Sequence, residues 1–358
     1  MTSRFPRSLP IAALTAALIL AGCQGSNGTS TPPGAFPPLS PGGTPHAQYV
    51  VVANVITPSI LTFNLGTSST PNSGNFAPTW NNHSATLSQP FFLFNDFQSN
   101  LWAADFTGAK VTWYAYNANG GAPASHTLSG AATTLGCPTG VYIDAKGDLY
   151  VSDPCSTIGY PTIDFFASTG GSPATPPSGN QAPTAWIGGV ATTLSFPQGL
   201  AVDSSGNLWV IDTNGPWINE FPSSLSAGQN NLAPSGKITS SALASPDEIA
   251  IDYQKHIWVG DLGSTLPEVM EFNPTPGAQT PLCNITGSNT GMTALGGQIS
   301  VAVDNGGYVY TVDAEAAQIN IFAQGQCGNA TPTYTISGGS TALTHPAAIV
   351  VYSTGNDP

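Results

Sequence analysis

The chain has 358 residues, and only 7% of them are Asp, Glu, Lys or Arg. Nineteen acidic residues outnumber six basic ones, which gives a formal net charge of −13 at pH 7. Such a chain is a poor partner for the phosphates of nucleic acid or for anionic lipid headgroups, so both ligand classes are excluded.

Residues 1–22 have the pattern of an export signal. Arg4 and Arg7 precede an apolar run, Ile11 to Leu20, that is too short to span a membrane as a helix. The run ends in Leu-Ala-Gly-Cys23, which resembles the signal of bacterial lipoproteins; the alternative is an ordinary secretory signal with a chance cysteine. The resemblance implies that Cys23 is lipidated and anchors the chain to a membrane. Because Gln24 follows, it also implies sorting to the outer membrane if the organism has one.

Residues 23–45 are rich in Ser, Gly, Thr and Pro and almost free of charge. This composition predicts a disordered tether between the lipidated cysteine and the folded part of the chain. We expect one folded domain over residues 46–352 and a short tail over 353–358.

An opening phrase, clearest as Pro197-Gln-Gly-Leu-Ala-Val-Asp203, recurs along this domain. The six copies run from Pro90 to Asp96, Pro138 to Asp144, Pro197 to Asp203, Pro246 to Asp252, Gln298 to Asp304 and Pro346 to Tyr352. Five are followed by a second strand pattern, at Asn100–Asp105, Asp148–Asp153, Asn207–Asp212, His256–Asp261 and Tyr308–Asp313. A strand-rich repeat of about fifty residues predicts the blades of a β-propeller.

The two ends of the domain complete each other. Gln48–Ala53 reads as a second strand without an opening phrase, whereas the copy that begins at Pro346 has no chain left for a second strand. We therefore predict an all-β, six-bladed propeller with four-stranded blades, in which the first and last strands share one blade.

Four cysteines remain beside Cys23, and in an exported protein they favour disulfides. Cys137 and Cys155 each lie nine residues from Lys146, which is at a hairpin turn, so they are predicted to face each other and form a bond. Cys283 and Cys327 lie in corresponding outer regions of consecutive blades. Their pairing is left open because it depends on the loop paths.

Five aspartates end the second strands: Asp105, Asp153, Asp212, Asp261 and Asp313. They are expected on one face of the ring, where together they could hold a hard cation such as Ca²⁺. The alternative, favoured by their recurrence in five blades, is that each caps its own loop through backbone N–H groups.

The phrase Pro-x-Gly-Leu-Ala-Val-Asp-x-x-Gly-Asn-Leu-Trp-Val-x-Asp resembles the NHL repeat, and residues 46–352 are similar to that propeller family. Similar propellers include binding modules, gluconolactonase-like hydrolases and streptogramin lyases. The lactonases use a central Glu, Asn and Asp around a metal ion; here only Glu248 among the glutamates lies on a strand lining the channel, and no matching set is visible. The five histidines are too scattered to share one metal.

The sequence therefore favours a binding role over an enzymatic one. Trp217 and Tyr160 lie in loops beyond the strand core, where aromatic rings suit sugars or peptide side chains. The alternative for Trp217 is packing against its own blade. We expect a monomeric, lipid-anchored cell-envelope module that binds a protein or glycan, with a lactonase-like or lyase-like enzyme as the alternative.

Overall fold

The computed structural model describes residues 47–66, 70–96, 100–170, 175–293 and 298–352. The predicted signal, Cys23, the tether and the tail lie outside these residues. Within the described ranges, no helix is long and apolar enough to cross a membrane.

Six antiparallel sheets form a ring, so the predicted six-bladed propeller is confirmed. Blade 1 contains β1 (Tyr49–Asn54), β2 (Ser59–Asn64), β3 (Trp80–Asn82) and the last strand, β26 (Pro346–Tyr352). Blade 2 contains β4 (Pro90–Asn95), β5 (Asn100–Asp105), β6 (Lys110–Ala115) and β7 (His126–Ser129). Blade 3 contains β8 (Gly140–Ile143), β9 (Leu149–Asp153), β10 (Thr162–Phe166) and β11 (Ala185–Gly188).

The other three blades repeat this order. Blade 4 contains β12 (Pro197–Val202), β13 (Asn207–Asp212), β14 (Trp217–Pro222) and β16 (Gly236–Thr239). Blade 5 contains β17 (Pro246–Ile251), β18 (Ile257–Asp261), β19 (Glu268–Phe272) and β21 (Cys283–Thr286). Blade 6 contains β22 (Ile299–Val303), β23 (Val309–Asp313), β24 (Gln318–Phe322) and β25 (Tyr334–Ser337). Single 3₁₀ turns lie at Ala131–Thr133 and Val190–Thr192.

The ring closes through blade 1, as the sequence predicts. β26 pairs antiparallel with β1, with Val351 opposite Val50 and Ile349 opposite Val52. The first strands of successive blades contact one another around the centre, and β26 contacts both β22 and β4. Both ends of the domain are therefore held by the same sheet.

Apolar side chains fill the spaces between blades. The cluster between blades 6 and 1 contains Val50, Phe63, Tyr310 and Ile321, all at 0% exposure. The first strands approach so closely that a Cβ at Gly199 would lie 2.9 Å from Cα of Glu248 in the next blade. Glycine in the opening phrase therefore has a packing role as well as a conformational one.

The aspartate that ends the opening phrase organises the turn after it. The carboxylate of Asp203 accepts hydrogen bonds from the backbone N–H of Ser205 and Asn207, and from Nε1 of Trp209 at 3.0 Å. Asp96 and Asp252 bind the corresponding indoles of Trp102 and Trp258 in the same way. The turn, the second strand and the blade core are thus fixed by one side chain.

A feature that the sequence analysis did not predict protects the outer edge of every blade. The loop between the third and fourth strands of each blade runs parallel to the outermost strand of the preceding blade. These pairings are Gly74 with Ile336, Gly120 with Asn82, Gly179 with Leu128, β15 (Gly228–Asn230) with β11, β20 (Gly277–Ala278) with β16, and Gly328 with Ile285. Two sheets thereby gain a fifth strand, and we call the six pairings the outer belt.

Candidate functional site

The two faces of the ring are set by the strand order. The turns between first and second strands lie on one face, and the loops between second and third strands lie on the other. Ala47, where the described chain begins, donates its backbone N–H to Asp304 Oδ2 at 2.7 Å and to the Tyr310 hydroxyl at 3.0 Å. Asp304 opens such a turn, so the chain enters on the first face; we call the other face the distal face.

The five aspartates at the ends of second strands lie on the distal face and are almost completely buried. Asp212 shows the shared arrangement: Oδ2 accepts the backbone N–H of Ser195 at 2.8 Å, and Oδ1 accepts that of Phe196 at 3.0 Å. Equivalent bonds hold Asp105, Asp153, Asp261 and Asp313 to the segment that precedes their own first strand. These carboxylates therefore fix the entry into blades 2 to 6.

Burial raises the pKa of Asp153 and of Asp261, and the backbone N–H bonds oppose that effect. Backbone donors thus offset part of the cost of burying these two carboxyls. Among the described residues, these five aspartates do not form a group of three with ligand atoms within 4.8 Å of one another. Binding of Ca²⁺ at this ring stays a prediction.

One compact group of potential metal ligands does occur in the described ranges, formed by Asp252, His256 and Glu271. Its atoms already bind one another or the blade: Nδ1 of His256 lies 2.6 Å from Oε1 of Glu271, and Asp252 accepts from Trp258 and from the His256 backbone. The group is therefore explained as a hydrogen-bonded network beside a turn.

A cavity of about 410 Å³ opens between blades 3 and 4 near the distal face. Three separate segments form it: the loop that precedes β10, the turn that follows β11, and the outer-belt loop of blade 4, which runs parallel to β11. Its lining residues are Tyr160, Pro161, Gly189, Val190, Leu194, Gln229 and Asn231. We call it the blade 3–4 cavity.

Tyr160, which the sequence analysis selected as a ligand-contacting aromatic, is part of this cavity. Its ring is half-buried and packs over Gly188, where an added Cβ would lie 2.7 Å from the ring carbon Cε2. Val190 is 95% exposed on the other side of the cavity. An aromatic ring and an exposed apolar side chain therefore border one concave surface, which is a common composition for binding sites.

Trp217, the second selected aromatic, does not lie in a loop beyond the strands as expected: it is the first residue of β14, paired with Asp212 and Thr239, and it does not line the cavity. Nζ of Lys237 is 3.7 Å from the centre of its indole ring, and a Cβ added at Gly215 would collide with that ring. Nζ of Lys237 also lies 3.4 Å from Oγ1 of Thr193, one residue before the cavity residue Leu194. Trp217 thus holds Lys237 beside Thr193, and contact of Trp217 with a ligand stays a prediction.

A pair of buried carboxyls on the first strand of blade 5 was only half recognised from the sequence. Asp247 and Glu248 are each 5% exposed, and Oδ1 of Asp247 accepts from Nε2 of Gln198 in blade 4 at 3.1 Å. Burial raises the pKa of Asp247 to about 8 and that of Glu248 well above its usual range. The available signal was the second position of the opening phrase, where the other five copies have no acidic residue.

Both disulfides are present. Cys137 and Cys155 have Cα atoms 5.2 Å apart, which confirms the pairing predicted from the hairpin. Cys283 and Cys327 are bonded with Cα atoms 5.5 Å apart, so the pairing left open across two blades also occurs. The first bond anchors the loop that carries Tyr160, and the second reinforces the outer belt between blades 5 and 6.

No protein-family model matches the chain, and no curated protein matches it. Among solved structures, it is similar to a protein of unknown function from Bacteroides caccae, with 10% identity, a TM-score of 0.53, and coverage of 85% of this chain and 98% of that chain. A periplasmic gluconolactonase from Pseudomonas aeruginosa has 11% identity and a TM-score of 0.48 over 85% and 99% of the two chains. Virginiamycin B lyase from Staphylococcus aureus, in a catalytically inactive variant, has 12% identity and a TM-score of 0.45 over 72% and 73%. At these identities the similarity concerns the fold alone.

Proposed function

We propose that this chain is a lipid-anchored cell-envelope propeller that binds a protein or glycan at the distal rim of blades 3 and 4. The observation that carries the proposal is the blade 3–4 cavity, which combines the ring of Tyr160 with the exposed side chain of Val190. Its volume is within the range of about 300–1,000 Å³ that is typical of ligand sites. The NHL-like repeat is consistent with this role, since propellers of that kind include binding modules.

The position of the cavity supports the proposal. Ala47 is tied to the face that carries the first-to-second-strand turns, whereas Tyr160 and Val190 lie at the opposite ends of their strands. The described chain therefore begins on the face opposite the cavity.

Site-specific crosslinking in cells tests the proposal. A photoreactive residue in place of Val190 is expected to capture an envelope protein or glycan. The matched control is Ile56, an exposed apolar residue at 69% exposure on the distal face of blade 1. Equal capture from both positions, or none from position 190, would show that the rim of blades 3 and 4 is not a binding surface.

A hydrolase or lyase is the second candidate, and Asp247 with Glu248 is the observation that favours it. Two adjacent carboxyls with raised pKa values can supply general acid–base groups or oxygen ligands to a metal. A screen of lactones and esters with Ca²⁺ or Zn²⁺, and then with EDTA, tests this candidate. Turnover that is lost on chelation and in Asp247→Asn would replace the binding proposal; we expect no turnover.

A further inference from the structure

The blade 3–4 cavity has a lining without ionised side chains. Its seven residues include none that carries a charge at neutral pH, and Tyr160 contributes only a phenol. Lys237 is not part of this lining, and its ammonium group is held over the ring of Trp217 and beside Thr193. The lining therefore offers a charged ligand no counter-charge, whereas it offers an uncharged ligand both apolar surface and amide groups.

Two amide side chains in the cavity are each held by one hydrogen bond. Nε2 of Gln229 donates to the carbonyl oxygen of Gly188 at 2.9 Å, and Oδ1 of Asn231 accepts the backbone N–H of Ala191 at 2.9 Å. These bonds fix the orientation of both amides and leave Oε1 of Gln229 as an acceptor and Nδ2 of Asn231 as a donor. A sugar hydroxyl can bind to either group, because it both donates and accepts.

The aromatic ring that completes the cavity is also fixed. Tyr160 packs over Gly188, and its loop is anchored by the bond between Cys155 and Cys137. A ring already held in place loses little conformational entropy when a ligand stacks on it. An apolar surface beside an oriented donor and an oriented acceptor matches the two kinds of surface that a sugar ring presents.

We propose that the blade 3–4 cavity binds an uncharged sugar unit of a glycan, with Tyr160 as the stacking surface and Gln229 and Asn231 as the hydroxyl-binding groups. This inference rests on the proposed binding function and narrows its ligand to one chemical class. Asn231 has two tasks, since its Oδ1 holds the turn at Ala191 while its Nδ2 serves the ligand. The two tasks can be separated by substitution.

The experiment measures binding of the purified full chain to an array of neutral oligosaccharides, anionic oligosaccharides and uncharged peptides. We expect binding to at least one neutral oligosaccharide, lowered about tenfold in Tyr160→Ala, which corresponds to removal of one well-placed contact of about 1.4 kcal/mol. Tyr253→Ala is the matched control, because this tyrosine is 41% exposed in a turn on the opposite face.

Asn231→Asp tests the amide specifically, since it keeps the oxygen that caps the turn and removes the Nδ2 donor. The control is Asn329→Asp: Oδ1 of Asn329 accepts the backbone N–H of Asn289 at 2.7 Å in the equivalent loop of blade 6. We expect weaker glycan binding from the first variant, unchanged binding from the second, and similar unfolding midpoints for both.

Three results would overturn the inference: no binding to any neutral oligosaccharide, binding that Tyr160→Ala leaves unchanged, or binding of only anionic glycans or peptides. The crosslinking experiment separates these failures from failure of the proposed function. Capture from position 190 without neutral-glycan binding would reject the sugar ligand and keep the binding surface, whereas absence of capture would reject the surface itself.

Discussion

Two groups of buried carboxyls in this propeller have opposite relations to their surroundings. The repeat group, represented by Asp212, is buried but binds backbone N–H groups with both oxygens. The second group consists of Asp164, Asp247 and Glu248, which interrupt the repeat and lie among few donors. Both oxygens of Asp164 lack a hydrogen-bond partner among the described residues, as does Oδ2 of Asp247.

The difference shows that burial alone does not determine whether a carboxyl is charged. Burial raises the pKa of Asp164 well above its usual range, and the neighbouring charge of Asp153 raises it further. For Asp203, burial also raises the pKa, but hydrogen bonds from Trp209 and Asn207 outweigh it and hold the pKa below its usual value. Donors supplied by the repeat therefore oppose the effect of burial on the pKa, and where few donors are present burial favours the neutral acid.

The largest effect is expected from removing a repeat carboxylate. Asp212→Ala leaves the backbone N–H groups of Ser195 and Phe196 without their acceptor, so the free energy of unfolding should fall by about 3–5 kcal/mol. Urea unfolding measures the change in the free energy of unfolding. Glu315→Ala, which removes an exposed carboxyl, is the control. A loss below about 1 kcal/mol would show that these bonds do not hold the blades.

Asp247→Asn should change the pH dependence of stability. Because the pKa of Asp247 is raised to about 8, the folded state binds a proton that the unfolded chain releases near pH 4, and stability decreases as pH rises between these values. The variant should remove up to about 1.4 kcal/mol per pH unit of that slope. Urea unfolding of both proteins at pH 5, 6.5 and 8 measures how the free energy of unfolding depends on pH. The same dependence in the variant and the unsubstituted protein would contradict the raised pKa of Asp247.

Asp164→Asn should stabilise the protein at pH 8 by about 1–2 kcal/mol and change little at pH 4. At pH 8 the unfolded chain releases the proton of Asp164, whereas the folded protein must either retain that proton or bury an unpaired charge. Near pH 4 this difference between the two states is small. Blade 4 has Asn219 at the equivalent position, also at 0% exposure. The reciprocal variant, Asn219→Asp, should lose stability at pH 8. If both variants behaved alike at the two pH values, the comparison between blades would fail.

The smallest effect is expected at an indole. Trp209→Phe removes the donor to Asp203 and should lower the free energy of unfolding by about 1 kcal/mol at pH 7. This loss of unfolding free energy should become smaller as pH falls and Asp203 is protonated. A carboxyl whose pKa is lowered in the folded state stabilises the protein at pH values above its pKa in the unfolded chain, and this contribution disappears on protonation. Trp113→Phe is the control, because its Nε1 has no partner among the described residues; an equal loss there would point to packing alone.

The repeated parts of the structure could be predicted from the sequence, because the same strand pattern recurs in each copy of the repeat and a clear copy identifies a weaker one. The hairpin around Lys146 was regular enough to place Cys137 opposite Cys155. The outer belt was missed because its loops lack strand patterning, although Gly-Asn at Gly179-Asn180 and Gly328-Asn329 was an available signal. The cavity could not be predicted, since Tyr160, Val190 and Gln229 come from three segments whose meeting depends on blade packing.

The outer belt also bears on how the chain acquires its structure. Each blade receives the cover for its outermost strand from the blade that follows it, and blade 6 receives its cover from Gly74 in blade 1. Blade 1 in turn takes its innermost strand from residues 346–352. A chain emerging N-terminus first therefore completes no blade independently, and the ring should fold as one cooperative unit once its last strand arrives.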